Sequence, residues 1–202
     1  QYLHQTRYWD DSAEGGGAWK ECIIHRDLKP DNMLVGVGNI MKLTDFGEAR
    51  AFDENVTMTS VGTPIYMAPE IQRNERYNET SDSFSFSIVL VSMLRIEKST
   101  VDFFFERIMI AKKKKDRVGI GVLGLGRAMV NQRWRPPLPK EVYPSLKRLI
   151  RRCWKDNGED RPRFDEIVTI LNGEVADEIR KMDEPLYLGE YDVEMEKEGD
   201  EG

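Results

Sequence analysis

The sequence predicts a mainly α-helical lobe with one small two-stranded β element. Residues 143–155 and 164–171 place apolar side chains at intervals of three and four, which is the spacing of a helix that buries one face. Residues 81–94 are mostly apolar, with serines between the apolar positions. This composition predicts a helix buried at the centre of the lobe, with the other helices around it.

The β element is predicted from two short apolar runs, residues 33–35 and 40–43, which flank Gly36, Gly38 and Asn39. Glycine and asparagine favour tight turns, so the two runs should pair as short strands. Further elements are expected as helices at residues 101–114 and 174–182 and as a polar surface loop at residues 51–64.

The net charge of the 202 residues is −6, and it is unevenly distributed. Residues 174–202 hold twelve acidic residues against three basic ones, a net charge of −9, so residues 1–173 carry about +3. No basic face interleaved with aromatic residues is visible, which argues against a nucleic-acid partner. We therefore expect a folded domain at residues 1–173 and an acidic, largely disordered extension at residues 174–202.

The cysteine content favours a reducing compartment, with the cytoplasm as the expected location. Cys22 and Cys153 suggest neither a disulfide framework nor a zinc motif. No apolar run reaches the roughly 18 residues of a membrane span, and no charged-then-apolar leader pattern opens the chain. The first residue is Gln1 rather than Met, so we expect a fragment of a longer protein.

The chemically most informative string is residues 25–32, His-Arg-Asp-Leu-Lys-Pro-Asp-Asn. Phosphoryl transfer to a hydroxyl group needs a carboxylate as base, cations near the phosphate and oxygen ligands for magnesium. Asp27 can be the base, Lys29 can reach the transferred phosphate, and Asn32 can bind a metal through its amide oxygen. Asp45, the first residue of an Asp-Phe-Gly string, adds the second hard oxygen ligand that Mg²⁺ prefers.

These strings resemble the catalytic loop and the magnesium loop of eukaryotic protein kinases. Residues 62–70, Gly-Thr-Pro-Ile-Tyr-Met-Ala-Pro-Glu, are similar to the substrate-side loop of that family. The resemblance covers residues 2–171. It implies the C-terminal lobe of the kinase fold, with ATP and Mg²⁺ as cofactors and proteins as substrates.

The resemblance also implies roles for individual residues. Thr63 would hydrogen-bond toward Asp27 and Lys29 as part of the catalytic set. Glu70 would form a buried ion pair with Arg161, and breaking such a pair costs on the order of 3–5 kcal/mol. Asp82 resembles the residue that anchors the central helix in the family. The residues with implied structural roles are His25, Arg26, Phe46, Glu70, Asp82 and Arg161.

The acceptor residue is implied by the type of kinase that the chain resembles. Lys29 matches the serine/threonine pattern, since tyrosine kinases usually place Ala or Arg nearby instead. Cys153-Trp154, followed by Arg161-Pro162 and then Phe164, is similar to the tyrosine-kinase-like group, whose members are mostly serine/threonine-specific. The resemblance thus implies Ser and Thr hydroxyls of proteins as acceptors.

Arg26, directly before Asp27, suggests control by phosphorylation of the loop that follows the magnesium loop. A phosphate there would add about −1.5 to −2 of charge, which Arg26 and Arg50 could bind. The candidate phosphorylation sites are Thr57, Thr59 and Ser60.

Residues 119–124 match the pattern G-x-G-x-x-G, but we do not expect them to bind phosphate. The phosphate-covering loop of a kinase would lie before the catalytic loop, and a dinucleotide site would need a preceding strand. Here a lysine-rich segment, residues 112–117, precedes the glycines. The pattern is therefore interpreted as a flexible stretch between helices. The lysines are interpreted as a solvated helix end, with a nuclear signal or a patch for an acidic partner as the alternatives.

Other parts of the family pattern have no counterpart before the catalytic loop. We find no glycine-rich strand loop, strand lysine, partner glutamate or adenine-holding hinge there. We therefore expect the N-terminal lobe to be missing and the chain to be inactive, or nearly so, by itself. The link from His4 to His25 exceeds the family's usual length, so residues 5–21, polar and glycine-rich, are expected to be a flexible loop insertion.

Two hypotheses about function follow from these observations. The leading one is a protein serine/threonine kinase, because all four residues that carry the chemistry are present: Asp27, Lys29, Asn32 and Asp45. The alternative is a non-catalytic, kinase-like interaction module, which the absent nucleotide-binding parts would favour.

Overall fold

The computed structural model describes residues 1–10, 18–51, 63–94, 129–131, 133–181 and 196–197. The predicted helix at residues 101–114, the lysine run, the glycine-rich stretch and most of the loop at residues 51–64 lie outside these ranges. So do Thr57, Thr59 and Ser60. Within the described part, no helix is long and apolar enough to cross a membrane.

Helices form most of the regular structure of the described residues, as predicted. They include α1 (Pro69–Gln72), α2 (Thr80–Met93), α3 (Pro144–Cys153), α4 (Phe164–Ile170) and α5 (Ala176–Arg180). A π-helical segment, Leu171–Val175, joins α4 to α5. The helical segment therefore continues across the boundary predicted at residue 173.

The described strands are short and pair two by two in antiparallel fashion. The pairs are β1 (Arg7–Asp10) with β2 (Ala18–Glu21), β3 (Ile23–Ile24) with β6 (Arg50–Ala51), β4 (Met33–Val35) with β5 (Met41–Leu43), and β7 (Trp134–Arg135) with β8 (Glu196–Lys197). Strand β8 lies in the acidic extension, which was predicted to be largely disordered.

The predicted two-stranded element is β4 and β5. Met33 lies opposite Leu43 and Val35 opposite Met41, and a short 3₁₀ turn, Val37–Asn39, joins the strands. Gly38 has φ +74° and Asn39 has φ +59°. These are left-handed conformations that Gly and Asn adopt most readily, so the turn residues match the geometry that the chain needs here.

The prediction of a flexible loop at residues 5–21 was wrong at both ends of the segment. Strands β1 and β2 form a hairpin in which Trp9 lies opposite Trp19 and Arg7 opposite Glu21. Aromatic residues favour extended strands, and the polar and glycine content concealed that preference. Cys22 closes the hairpin with a left-handed φ of +74°, and its N–H donates to the Thr6 carbonyl at 3.2 Å.

Helix α2 is the centre of the hydrophobic core. Phe84, Ile88, Val89 and Val91 are completely buried. The serines between them are buried as well, and their hydroxyls find acceptors: Ser85 donates to the Tyr66 carbonyl at 2.7 Å. Because buried hydroxyls are costly only when they lack partners, a serine-rich helix can occupy the centre of this lobe.

Helix α3 packs against α2 through the apolar face that its spacing predicts. Leu146, Leu149, Ile150 and Cys153 are buried on this face. Its N-terminus is capped by a carboxylate from α5, since Glu178 accepts hydrogen bonds from the N–H (2.9 Å) and the hydroxyl of Ser145. This contact attaches the C-terminal helix to the lobe.

We expect the Glu178 contact to make stability depend on pH in acid. The hydrogen bonds from the Ser145 side chain and backbone lower the pKa of Glu178 below its ordinary 4.5. A lowered folded-state pKa means that the stabilisation is fully present above pH 4.5 and is lost as the pH falls through the folded-state value. Urea midpoints of the wild type and Glu178→Gln should therefore differ most above pH 4.5 and converge below it.

The matched control is Glu174→Gln in the preceding helical turn, where the carboxylate contacts the exposed Arg148 at 3.2 Å. It should shift the midpoint much less, because exposed ion pairs contribute little. Equal pH profiles for the two variants would contradict the capping role of Glu178.

Candidate active site

The catalytic loop, residues 25–32, lies between β3 and β4, and hydrogen bonds to Asp82 of α2 hold its first two residues. The Asp82 carboxylate accepts from the backbone N–H of His25 at 2.8 Å and of Arg26 at 3.0 Å, and it is 1% exposed. Arg26 has a left-handed φ of +68°, a strained conformation for a residue with a long side chain. The buried carboxylate stabilises that conformation and thereby fixes the direction of Asp27.

Three residues converge on the Asp27 carboxylate. The Lys29 ammonium donates to one carboxylate oxygen at 2.6 Å, and the Asn32 amide donates to the same oxygen at 3.1 Å. The N–H of Thr63 donates to the other oxygen at 3.2 Å. Lys29 also donates to the Thr63 hydroxyl at 3.2 Å. The structure thus brings together Asp27, Lys29, Asn32 and Thr63. Of these, only Thr63 comes from a distant part of the sequence.

The charge state of this cluster follows from its contacts. The hydrogen bond to Asp27 raises the pKa of Lys29 above its ordinary 10.5, and the negative charges of Asp27, Asp31 and Asp45 act in the same direction. Lys29 is therefore a cation at neutral pH, placed beside a carboxylate. A site of this kind can receive a hydroxyl group on the carboxylate side and a phosphate on the ammonium side.

The magnesium loop adjoins the catalytic loop through two contacts. The N–H of Thr44 donates to the Asn32 carbonyl at 2.9 Å, and the His25 ring nitrogen contacts the Thr44 carbonyl at 3.1 Å. Asp45 follows directly, with a left-handed φ of +58°, and its carboxylate accepts from the Gly47 N–H at 3.3 Å. Phe46 packs edge-on against the His25 ring with centroids 5.2 Å apart.

Asn32 and Asp45 provide a donor set that suits Mg²⁺. The Asn32 nitrogen faces Asp27, which directs its amide oxygen away from Asp27, and Asp45 is exposed. Mg²⁺ usually takes one or two protein oxygens together with phosphate oxygens and waters. Among the described residues, no group of three or more His, Cys, Asp or Glu side chains could hold a metal by itself. The residues therefore fit a metal that arrives with a phosphate ligand.

The substrate-side loop is fixed by a buried ion pair. Arg161 donates to the two Glu70 carboxylate oxygens at 2.6 and 2.7 Å, and its side chain is completely buried. The same guanidinium also donates to the carbonyls of Lys155, Asp156 and Thr80 at 2.7, 3.0 and 3.2 Å. The pair joins the start of α1 to the turn before α4. It therefore supports the segment that carries Thr63.

Two residues in these networks escaped the sequence reasoning. Arg135 is completely buried and donates to the carbonyls of Trp154 (2.9 Å) and Met129 (3.1 Å). Its guanidinium and that of Arg161 each lie 5.1 Å from the centre of the Phe84 ring, a distance at which cations and rings attract. The only local signal is its position in the string Trp-Arg-Pro-Pro.

The second is His4, whose ring nitrogen contacts the Asp82 carboxylate at 2.8 Å. It lies 78 residues before Asp82 in the chain, so no local pattern indicates the contact.

The guanidinium of Arg26, which the sequence suggests as a phosphate ligand, donates hydrogen bonds to the Glu48 carbonyl and the Tyr77 hydroxyl. Arg50 forms part of β6, and the loop that carries the predicted phosphorylation sites lies outside the described residues.

A helical lobe that places a carboxylate, a lysine, an asparagine and a threonine around one point has the groups that phosphoryl transfer needs. The comparison with known families agrees. The family model described as "Protein kinase domain" matches residues 18–170. The chain therefore belongs to the protein kinase family.

Relatives among characterised proteins carry kinase names. The chain is 35% identical over 157 residues to the dual specificity protein kinase shkD of Dictyostelium discoideum, covering 74% of this chain and 18% of that protein. It is 35% identical over 165 residues to the serine/threonine-protein kinase STY17 of Arabidopsis thaliana, covering 80% and 26%. A putative serine/threonine-protein kinase/receptor, R826, of Acanthamoeba polyphaga mimivirus is 34% identical over 149 residues, covering 74% and 8%.

The chain thus spans between 8% and 26% of the length of these relatives. Their names include both serine/threonine and dual specificity. The comparisons therefore identify the kinase family and do not identify the acceptor residue.

Proposed function

We propose that the natural gene product is a protein serine/threonine kinase, which transfers the γ-phosphate of ATP to Ser and Thr hydroxyls of proteins. The observation that carries the proposal is the hydrogen-bonded cluster of Asp27, Lys29 and Thr63, with all three side-chain contacts at 3.4 Å or less. Transfer of a phosphoryl group to a hydroxyl group requires a carboxylate and a cation close together. Here they are in direct contact, and the threonine of the substrate-side loop hydrogen-bonds to both.

Each residue of the cluster has a role that its contacts support. Asp27 orients the acceptor hydroxyl and accepts its proton. Lys29 stabilises negative charge that develops on the transferred group, and the Thr63 hydroxyl orients both. Asn32 and Asp45 would hold Mg²⁺, which neutralises phosphate charge when it is bound with ATP. Asp82 keeps Asp27 in position through the backbone of His25 and Arg26.

The acceptor specificity and the group within the family remain our proposal. Lys29 and the sequence around Cys153 and Arg161 favour a tyrosine-kinase-like enzyme that acts on Ser and Thr. Relatives with serine/threonine names support this assignment, and those with dual-specificity names define the competing result. The buried, free thiols of Cys22 and Cys153 are consistent with work in a reducing compartment such as the cytoplasm.

The proposal is tested by identifying which type of residue the natural gene product phosphorylates in its substrates. Peptide libraries that differ only in Ser, Thr or Tyr at the central position should be labelled at Ser and Thr. Labelling of Tyr alone would contradict the acceptor assignment. Absence of transfer to any peptide, with nucleotide binding intact, would favour the non-catalytic interaction module.

For the 202-residue chain alone, we expect ATP binding weaker than the micromolar range. The cluster offers charge and hydrogen bonds to phosphates, and no G-x-G-x-x-G loop lies ahead of His25 in these residues. Lys29 is only partly buried and Asp45 is exposed, so salt screens their contacts with a phosphate and a metal, and such contacts contribute little affinity alone. Titration calorimetry with Mg²⁺ and ATP checks the expectation, and micromolar affinity would contradict it. We also expect this chain, assayed alone, to be inactive or nearly so.

We further propose that at least one of Thr57, Thr59 and Ser60 is phosphorylated in the active protein. Arg26 directly precedes Asp27 and Arg50 precedes this segment of sequence, and a phosphate forms strong charge-assisted hydrogen bonds with arginine. Phosphopeptide mapping of the active natural gene product should find a modified residue among the three. A fully active protein with none of them modified would contradict the proposal.

A further inference from the structure

The side-chain amide of Gln72 joins two points of the substrate-side loop. Gln72 is the last residue of α1, and its Nε2 donates to the carbonyl of Pro64 and to that of Met67, both at 3.0 Å. Both neighbours are acceptors, so the NH₂ end of the amide faces them, and each of its two hydrogens has a partner. The half-buried side chain thereby closes residues 64–67 into a short loop.

Other contacts fix the beginning and the middle of the same segment. Thr63 is held by the catalytic loop, since its N–H donates to Asp27 at 3.2 Å. The N–H of Tyr66 donates to the Thr63 carbonyl at 2.9 Å, and the Tyr66 carbonyl accepts from the buried Ser85 hydroxyl of α2 at 2.7 Å. Gln72 adds a restraint on either side of Tyr66, from a different element.

We propose that Gln72 is a positioning residue for the protein substrate: its amide fixes residues 64–67, the part of the substrate-side loop that receives the segment around the acceptor hydroxyl. The inference rests on the proposed kinase function and deepens it. A surface that is already in its binding conformation loses less conformational entropy when the substrate binds. The two hydrogen bonds of Gln72 provide such pre-organisation.

The position of Gln72 separates substrate binding from the transfer step. Thr63 has its own hydrogen bonds to Asp27 and Lys29, so loss of the Gln72 amide leaves the catalytic cluster in place. The segment that follows Thr63 is then less restrained. A change that weakens binding of the substrate and of the transition state equally raises KM and leaves kcat unchanged. Gln72 should therefore act mainly on KM for the acceptor.

The first experiment measures peptide phosphorylation by the full natural gene product carrying Gln72→Met, which keeps the length of the side chain and removes both donors. We expect KM for the acceptor peptide to rise about tenfold, which corresponds to the net loss of one or two hydrogen bonds, while kcat stays within about threefold and KM for ATP within about twofold. A fall in kcat without a rise in the peptide KM would overturn the inference, as would an equal rise of both KM values.

The matched control is Gln5→Met. Gln5 is exposed, and within the described residues its side-chain amide makes no hydrogen bond. The same chemical change is thus made at a site without a clamp. Its kinetic constants should equal those of the wild type, and a rise in the peptide KM as large as that of Gln72→Met would contradict the specific role of Gln72.

A second variant, Gln72→Glu, separates hydrogen bonding from packing. Glutamate has nearly the same shape as glutamine, but at neutral pH its carboxylate has no hydrogen to donate and would lie against two carbonyl oxygens. If Gln72 acts through its donors, the peptide KM of this variant should rise at least as much as that of Gln72→Met. If the side chain only fills space, Gln72→Glu would match the wild type, and the inference would be overturned.

A third readout does not require catalysis. In the 202-residue chain, the backbone N–H of Tyr66 should exchange with water at least about tenfold faster in Gln72→Met and in Gln72→Glu, because the loop around it opens more readily. The reference is the N–H of Trp154, which donates to the Ile150 carbonyl at 3.1 Å and should keep its rate. Unchanged exchange at Tyr66, or equal acceleration at both amides, would overturn the inference.

The exchange measurement also separates this inference from the proposed function. A wild-type gene product without transfer activity would refute the proposed function, whereas the exchange rates in the 202-residue chain would still decide whether Gln72 holds the loop.

Discussion

Replacing Asp27 with asparagine is expected to lower kcat for phosphoryl transfer by about 10²- to 10⁴-fold, the range that general-base catalysis contributes. The amide cannot accept a proton from the acceptor hydroxyl. It also places a neutral group, and in one orientation an NH₂ donor, against the Lys29 ammonium that now lies 2.6 Å from a carboxylate oxygen. Steady-state kinetics of the natural gene product measure the effect.

The matched control is Asp31→Asn, the same substitution on an exposed residue of the same loop. It keeps the length of the side chain and removes a charge that acts on Lys29 only at a distance. We expect its kcat to stay within about twofold of the wild type. If the two variants lost activity equally, Asp27 would be one charge among several and its role as the base would be contradicted.

The second large effect is expected on stability. Replacing Arg161 with methionine should lower the free energy of unfolding by about 3–5 kcal/mol, because it leaves the Glu70 carboxylate buried without its partner. The Arg161 guanidinium contacts both Glu70 oxygens, at 2.6 and 2.7 Å. Urea denaturation of the 202-residue chain measures the loss.

Arg180→Met provides the control for this prediction. Arg180 contacts Asp177 at 2.8 Å, and both side chains are largely exposed, so the substitution should cost no more than about 0.5 kcal/mol. The double variant Glu70→Gln with Arg161→Met should lose less than the sum of the two single variants, since removing both charges leaves no buried charge unpaired. Full additivity, or a small loss for Arg161→Met, would contradict the importance of the pair.

The helices and the catalytic loop were predictable because their signals are local. Helix α3 repeats its apolar residues with the period of a helix, and the catalytic residues Asp27, Lys29 and Asn32 lie within six positions of one another. Gly38 and Asn39 likewise predict the turn of the β4–β5 hairpin. In each case the residues that determine the structure are close neighbours in the chain.

What escaped prediction depends on contacts between distant segments. His4 meets Asp82 across 78 positions and Tyr77 meets Arg26 across 51, and neither residue belongs to a pattern that marks it. No local pattern marks Arg135 as a core residue, although it is buried and donates to the carbonyls of three residues. The β1–β2 hairpin was missed for another reason, because polar residues and glycines outweighed the strand preference of its aromatic residues.

The central claim is that Asp27, Lys29, Asn32, Asp45 and Thr63 form one site for a metal-bound phosphate. The most direct test is NMR of the 202-residue chain titrated with Mn²⁺ and ATP to millimolar concentrations, since even weak binding broadens signals near a paramagnetic ion. We predict selective broadening of the backbone amides at Asn32 and Asp45, strongly reduced in Asp45→Asn. Broadening centred elsewhere in the chain, or unchanged by Asp45→Asn, would contradict the claim.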